Sequence, residues 1–325
     1  MRPLLALAAT GLFILGTACG GSGSGDGADV PRVVATTTQI GDFARNVGGD
    51  RIELTVLLSP NQDAHDFELE PSQIRAVVGA DLILRNGLGL DSFLDDALAS
   101  SEAAVATLSD GVEARVGGHE HGEEHEAEDE EEGELEGEGE DGHEDADPHI
   151  WLSVANARRM VENLRDALAA QDGANAEFYR QHAGAYLAEL EALDADIRAE
   201  VETIPAECRK LVTNHDVLGY YAEAYGFEVV GSVIPSTSSE AQASAADVAE
   251  IARLIEAEGV PAIFSEASIN PALIQQVGHE AGVAVVDDLH GDSLGAAGSD
   301  AATYVDMMRS NTAKIAAALR DCQAQ

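Results

Sequence analysis

Basic side chains are scarce in this 325-residue chain: 18 Lys and Arg face 60 Asp and Glu, for a formal net charge of -42. Such a balance excludes a partner held through its phosphates, so nucleic acid is not an expected ligand. The excess is concentrated, because 17 of the 60 acidic residues fall between Glu120 and Asp147. A long apolar run is missing at the start of the chain, where Leu4 to Leu15 is too short to remain in a bilayer as a spanning helix. Cysteine occurs only at Cys19, Cys208 and Cys322, and tryptophan only at Trp151. The His-Glu-x-x-His pattern of zinc proteases is absent. A zinc hydrolase would also need an open position for water and a nearby general base, and Glu266 is the only evident candidate for that base near a strand end.

What is present begins with a leader. Met1 to Ala18 combines Arg2, the apolar run and the small residues Gly16-Thr17-Ala18, the composition of a secretory signal. Cys19 follows directly and resembles the cysteine of a bacterial lipobox, with the apolar residue at Leu15 and Gly16 in its usual place. Lipid on Cys19 is expected; ordinary cleavage leaving a free thiol is the alternative. Gly20 to Asp29 is Gly/Ser-rich without apolar periodicity, a flexible tether. The mature protein is therefore expected outside the cytoplasmic membrane, anchored by lipid. In an oxidising compartment Cys208 and Cys322 either pair or remain two buried thiols.

The ordered chain alternates strand and helix. Arg32 to Thr37 and Ile52 to Leu58 read as strands around a helical stretch from Gln39 to Val47, and Ser59-Pro60-Asn61 breaks the second strand. Helix Pro71 to Val78, strand Asp81 to Leu84 and helix Leu90 to Leu98 follow. A second pass repeats this order: strand Lys210 to Thr213, helix Val217 to Tyr225, strand Glu228 to Ile234 and the breaker Pro235-Ser236-Thr237. It continues with helix Ala243 to Ala257, strand Ala262 to Ser265, helix Pro271 to Gly282 and strand Val283 to Val286. Such alternation predicts an α/β protein of two similar lobes with parallel sheets. Between the lobes Val154 to Gln171 and Ala174 to Ile204 are helical, the second carrying Phe178, Tyr186, Leu187, Leu190, Leu193 and Ile197 on one stripe. The expected division is a signal at 1–18, a tether at 19–31, a first lobe at 32–173 containing a disordered acidic loop at 118–146, a linker helix at 174–204 and a second lobe at 205–325.

Open α/β sheets place ligands at the C-terminal ends of their strands. There the first lobe offers His65, in Asn61-Gln62-Asp63-Ala64-His65, and His149, presented by the stiff turn Asp147-Pro148-His149 ahead of the apolar Ile150-Trp151-Leu152. The second lobe offers His215 in Thr213-Asn214-His215-Asp216 and Asp292 in Asp287-Asp288-Leu289-His290-Gly291-Asp292-Ser293. Asp287, Asp288 and His290 share that last loop and compete for the same role. Three imidazoles and one carboxylate, two groups from each lobe, suit zinc at tetrahedral geometry and are compatible with manganese or iron at higher coordination. Since the imidazoles must be deprotonated to bind, affinity is expected to fall below about pH 6.5, the unperturbed histidine value. His182 and His279 lie in helical sequence and read as structural or solvated.

These motifs, together with Ala64-His65-Asp66-Phe67-Glu68-Leu69-Glu70-Pro71-Ser72, Ser265-Glu266 and Asp292-Ser293, resemble those of the zinc and manganese ABC transporter substrate-binding lipoproteins, over nearly all of Val33 to Leu319. The resemblance implies two α/β lobes joined by one long helix, a metal in the cleft, and a non-enzymatic receptor that passes zinc to an ABC permease and its ATPase. A monomer is expected. Glutamate at the third ligand position marks manganese-type members, so His215 and the His-rich acidic loop resemble the zinc type. That loop holds His119, His121, His125 and His143, which collect metal weakly or merely punctuate a solvated spacer.

Overall fold

The computed structural model describes residues 30–117 and 146–322. The leader, Cys19, the tether as far as Asp29 and residues 118–145 of the His-rich loop fall outside the described residues.

Two four-stranded parallel sheets form the frame. The first holds β1 (Arg32–Ala35), β2 (Glu53–Val56), β3 (Leu82–Arg85) and β4 (Ala104–Thr107) in the order β2-β1-β3-β4. The second holds β5 (Lys210–His215), β6 (Glu228–Ile234), β7 (Ala262–Glu266) and β8 (Ala284–Leu289) in the order β6-β5-β7-β8. The same order in both sheets is the architectural repeat that the sequence predicts. Strand β4 was not anticipated; it is four residues long, half its positions are exposed, and its two alanines have little strand preference.

In the first lobe, α1 (Thr38–Gly48) follows β1, α2 (Pro71–Val78) follows β2, and the short α3 (Asp95–Leu98) lies between β3 and β4. Thr37 caps α1 by accepting a hydrogen bond from the Ile40 amide, which ends β1 two residues earlier than its β-rich run suggests. Helices α4 (Val154–Gln171) and α5 (Ala176–Val201) come next, then α6 (Gly219–Tyr225), α7 (Ala245–Glu258), α8 (Ala272–Ala281) and α9 (Tyr304–Leu319).

Helix α5 is the connector, 26 residues and so about 39 Å long. Its buried face is Tyr179, Ala183, Tyr186, Leu190, Leu193, Ile197 and Val201, spaced by threes and fours as a helix requires. Tyr179 and Ala183 occupy the stripe where Phe178 and Leu187, expected there, are only partly buried. Along α5 pack α4 and α1 from the first lobe and α9 from the chain's end. In the second sheet alternate side chains serve two cores: Leu211 and Phe264 face the large one shared with α5, while Val212 and Ile263 face a smaller one under α7 and α8.

A disulfide joins Cys208, just before β5, to Cys322 beyond α9, with Cα atoms 6.2 Å apart. At the edge of the first lobe Val116 and Ala146 form an isolated antiparallel bridge, and the Asp147 amide donates to the Arg115 carbonyl at 2.9 Å. None of the described helices is long and apolar enough to cross a membrane.

Candidate metal centre

Four side chains from four separate segments meet where the C-terminal strand ends of the two sheets face each other. Each of His65, His149, His215 and Asp292 offers one ligand atom, all within 4.8 Å of one another. His65 Nε2 lies 3.1 Å from His149 Nε2, which is 3.4 Å from His215 Nε2. Asp292 Oδ1 is 3.2 Å from His149 Nε2 and 3.8 Å from the Nε2 atoms of both His65 and His215. The loop's rival groups are elsewhere: Asp287 and Asp288 are exposed, and the His290 backbone is engaged with the Asn311 side chain. His182 stacks on Phe178 at 3.9 Å, and His279 lies in the last turn of α8.

Local chemistry aims each ring. His65 and His149 are presented by the same device, an aspartate two residues earlier whose Oδ1 accepts the histidine amide: Asp63 at 2.8 Å and Asp147 at 3.0 Å. Asp147 Oδ1 also lies 2.8 Å from His149 Nδ1, which turns Nε2 inward. Behind His149 the turn Ile150-Trp151-Leu152 is wholly buried, so the ring sits on a rigid base. His215 is the last residue of β5, and Glu266, the last of β7, places Oε1 2.8 Å from its Nδ1. A carboxylate on the far nitrogen fixes tautomer and orientation and raises the basicity of the near one. Glu266 is thus an orienting group, not a free base beside open space. Asp147 is read from sequence only as a residue stiffened by proline; its second role is signalled by the Asp-x-His spacing that Asp63 and His65 share.

Burial and charge set the protonation of the metal-free cluster. Burial drives the His65 imidazole down to about 4 despite the neighbouring Asp292. Burial also opposes charge on His149, but the hydrogen bond to Asp147 and the Asp292 carboxylate 3.2 Å away outweigh it and lift the ring to about 10. His215 is raised in the same way, burial being overcome by Glu266 and Asp292. The unperturbed value of about 6.5 expected from sequence therefore applies to none of the three. Burial disfavours the Asp292 carboxylate, yet His215, His149 and His65 hold it below the usual range, so it is ionised.

Both oxygens of that carboxylate are buried without a hydrogen-bond donor. An ionised carboxylate in a dry interior needs a compensating cation; in the metal-free protein the His149 imidazolium, 3.2 Å away, fills that role, and a bound divalent cation would take its place. Once His149 and His215 give up their protons, three imidazole nitrogens and one such oxygen are a donor set for a divalent cation. Only His65 reaches solvent, with 9% of its side chain exposed against none for the other three. Beside it opens a recess of about 390 Å³ lined by Leu88, Leu90 and Pro148 from the first lobe and Thr237, Ser238 and Glu240 from the second.

The ZnuA family model, zinc-uptake complex component A, periplasmic, matches residues 33–318. The zinc-binding protein TroA of Treponema pallidum is 32% identical over 298 residues, 89% of either chain. The manganese-binding lipoprotein MntA of Halalkalibacterium halodurans is 30% identical over 303 residues, 92% of this chain and 93% of that one. The solved structure of the periplasmic zinc-binding protein TroA superposes with a TM-score of 0.76 at 29% identity, covering 89% of this chain and 99% of the other. With the family model spanning both sheets, α5 and the four converging side chains, the chain belongs to the ZnuA family of metal-binding ABC-transporter substrate-binding proteins and is not an enzyme.

Proposed function

We propose that this protein captures zinc outside the cytoplasmic membrane, on His65, His149, His215 and Asp292, and hands it to the permease of an ABC transporter powered by its ATPase, while lipid on Cys19 holds it at the membrane. The observation that carries the reading is the spacing of the four donor atoms. A tetrahedron with metal–ligand bonds of 2.0–2.1 Å has six edges of about 3.3 Å; five of the separations are 3.1, 3.2, 3.4, 3.8 and 3.8 Å, and the sixth, His65 to His215, is within 4.8 Å. Contraction of the longer edges onto the ion would complete such a site.

Manganese is the second reading. It is favoured by the second Asp292 oxygen, which also lacks a donor and would raise the coordination number if it turned onto the ion. Relatives named for manganese and for iron share about 30% of the sequence. Calorimetric titration of metal-stripped protein lacking residues 118–145, with zinc and then manganese, separates the two. One tight zinc site and much weaker manganese binding is the expected result; the reverse order would reassign the cargo. Tight zinc binding that survives His149→Ala would refute the site itself.

A further inference from the structure

The position of Asp292 poses a problem. Neither carboxylate oxygen accepts a hydrogen bond, so apart from its charge contact with the His149 ring at 3.2 Å the side chain is aimed by the backbone on either side of it. The second lobe holds that loop at its ends: the Asn311 side chain bonds both the amide and the carbonyl of His290, and the Gly295 amide bonds the Ala301 carbonyl at 2.8 Å. Between these ends, the bonds that fix Gly291 and Leu294 come from the first lobe.

Gly291 O accepts from Trp151 Nε1 at 2.9 Å and from Gln39 Nε2 at 3.3 Å. The Leu294 amide donates to Thr38 Oγ1 at 2.8 Å, and Leu294 O accepts the Asn61 amide at 3.0 Å. Two of these partners are themselves linked, because the Thr38 hydroxyl donates to Gln39 Oε1 at 3.1 Å. That bond settles which end of the Gln39 amide is oxygen, and so presents its NH2 to Gly291. A relay runs from the Leu294 amide through Thr38 and Gln39 to the Gly291 carbonyl, spanning the residue that must point inward. Thr38 is 5% exposed and Gln39 fully buried, so water is a poor substitute for either partner.

We infer that Thr38 and Gln39, in the first turn of α1, are positioning residues for Asp292, so that the fourth ligand of the second lobe is set by the first. The inference rests on the metal reading above and extends it. Coordination and lobe docking become one event: the carboxylate is in register only while the lobes are closed, and their separation removes its support before any ligand bond need break.

The test uses the full chain, zinc affinity by chelator competition, and the visible absorption of bound cobalt(II), which reports coordination. Thr38→Val, close in shape but without the hydroxyl, is expected to weaken zinc about 10–100-fold, the usual effect of losing an outer partner of a metal ligand. Its cobalt bands should shift as the carboxylate leaves, and Thr38→Ser should restore both. In an Asp292→Ala background Thr38→Val should cost nothing further, because its effect runs through the missing carboxylate. Parent-like zinc affinity and cobalt bands in Thr38→Val would overturn the inference, as would an equal loss in the Asp292→Ala background. Should Thr38→Val fail to fold, Gln39→Met carries the same comparison. An Asp292→Ala variant that binds zinc as the parent does would instead refute the ligand assignment, so the two failures are distinct.

Discussion

Proton release on metal binding offers the sharpest check of the site's electrostatics. In the metal-free protein His149 holds a proton up to about pH 10, because Asp147 and Asp292 flank its ring. In the proposed site the metal-bound ring would carry no proton on Nε2, so protons would compete with the metal at every pH below that value. Affinity must therefore rise with pH, about tenfold per unit for each proton displaced, and level off near 10. At pH 7 the competition amounts to three units, roughly 4 kcal/mol or a thousandfold in affinity. An ordinary histidine of pKa about 6.5 would be almost wholly neutral at pH 8.5 and would release nothing there. Calorimetry at pH 8.5 in buffers of different ionisation enthalpy should instead show about one proton released per zinc, with more if the raised His215 is also charged. Release near zero at pH 8.5 would refute the reasoning. Asp147→Asn sharpens the test: losing an outer-shell carboxylate costs about 10–100-fold in affinity, but the variant also sheds the competing proton. Its deficit should be larger at pH 9 than at pH 7.

Other perturbations follow from the packing. A Cβ on Gly291 would meet Glu266 Oε2 at 2.5 Å and Val217 Cγ2 at 2.7 Å, so Gly291→Ala should push Glu266 off His215 and weaken zinc about 10–100-fold while leaving the circular dichroism of the fold unchanged. The Cys208–Cys322 disulfide closes a sequence separation of 114; replacing both by serine should lower stability by about 2–4 kcal/mol, read as a fall in Tm that reductant also produces in the parent. Trp151→Phe removes the Nε1 donor to Gly291 O and should destabilise the protein by about 1–3 kcal/mol, measured by denaturant unfolding.

Much of this was legible in the sequence where the signal was local. Alternating strand and helix runs punctuated by Pro and Gly indicated two parallel sheets, and both breakers, Ser59-Pro60-Asn61 and Pro235-Ser236-Thr237, lie in the loops after β2 and β6. Helix α9 was overlooked although Thr303 and Asp306 form a capping pair at its start. The three histidines stood out through short motifs. Their support did not, because the partners are remote in sequence: Glu266 lies 51 residues from His215, and Gln39 lies 252 residues from Gly291. Only a fold that brings strand ends together reveals such pairs. The protonation of the cluster was likewise hidden, since burial and flanking carboxylates, not residue type, decide it.

The bridge between Val116 and Ala146 has a practical consequence. It ties off residues 118–145 immediately ahead of Asp147, and the Asp147 amide is itself bonded to Arg115. A stretch closed by a fixed stem can change length cheaply, each doubling adding only about 0.6 kcal/mol of closure entropy. Changes of length between the stem residues should therefore leave His149 in place. A chain with residues 118–145 replaced by a tight turn should fold, keep its cleft affinity for zinc, and accept in that place whatever segment an experimenter chooses to display beside a metal site.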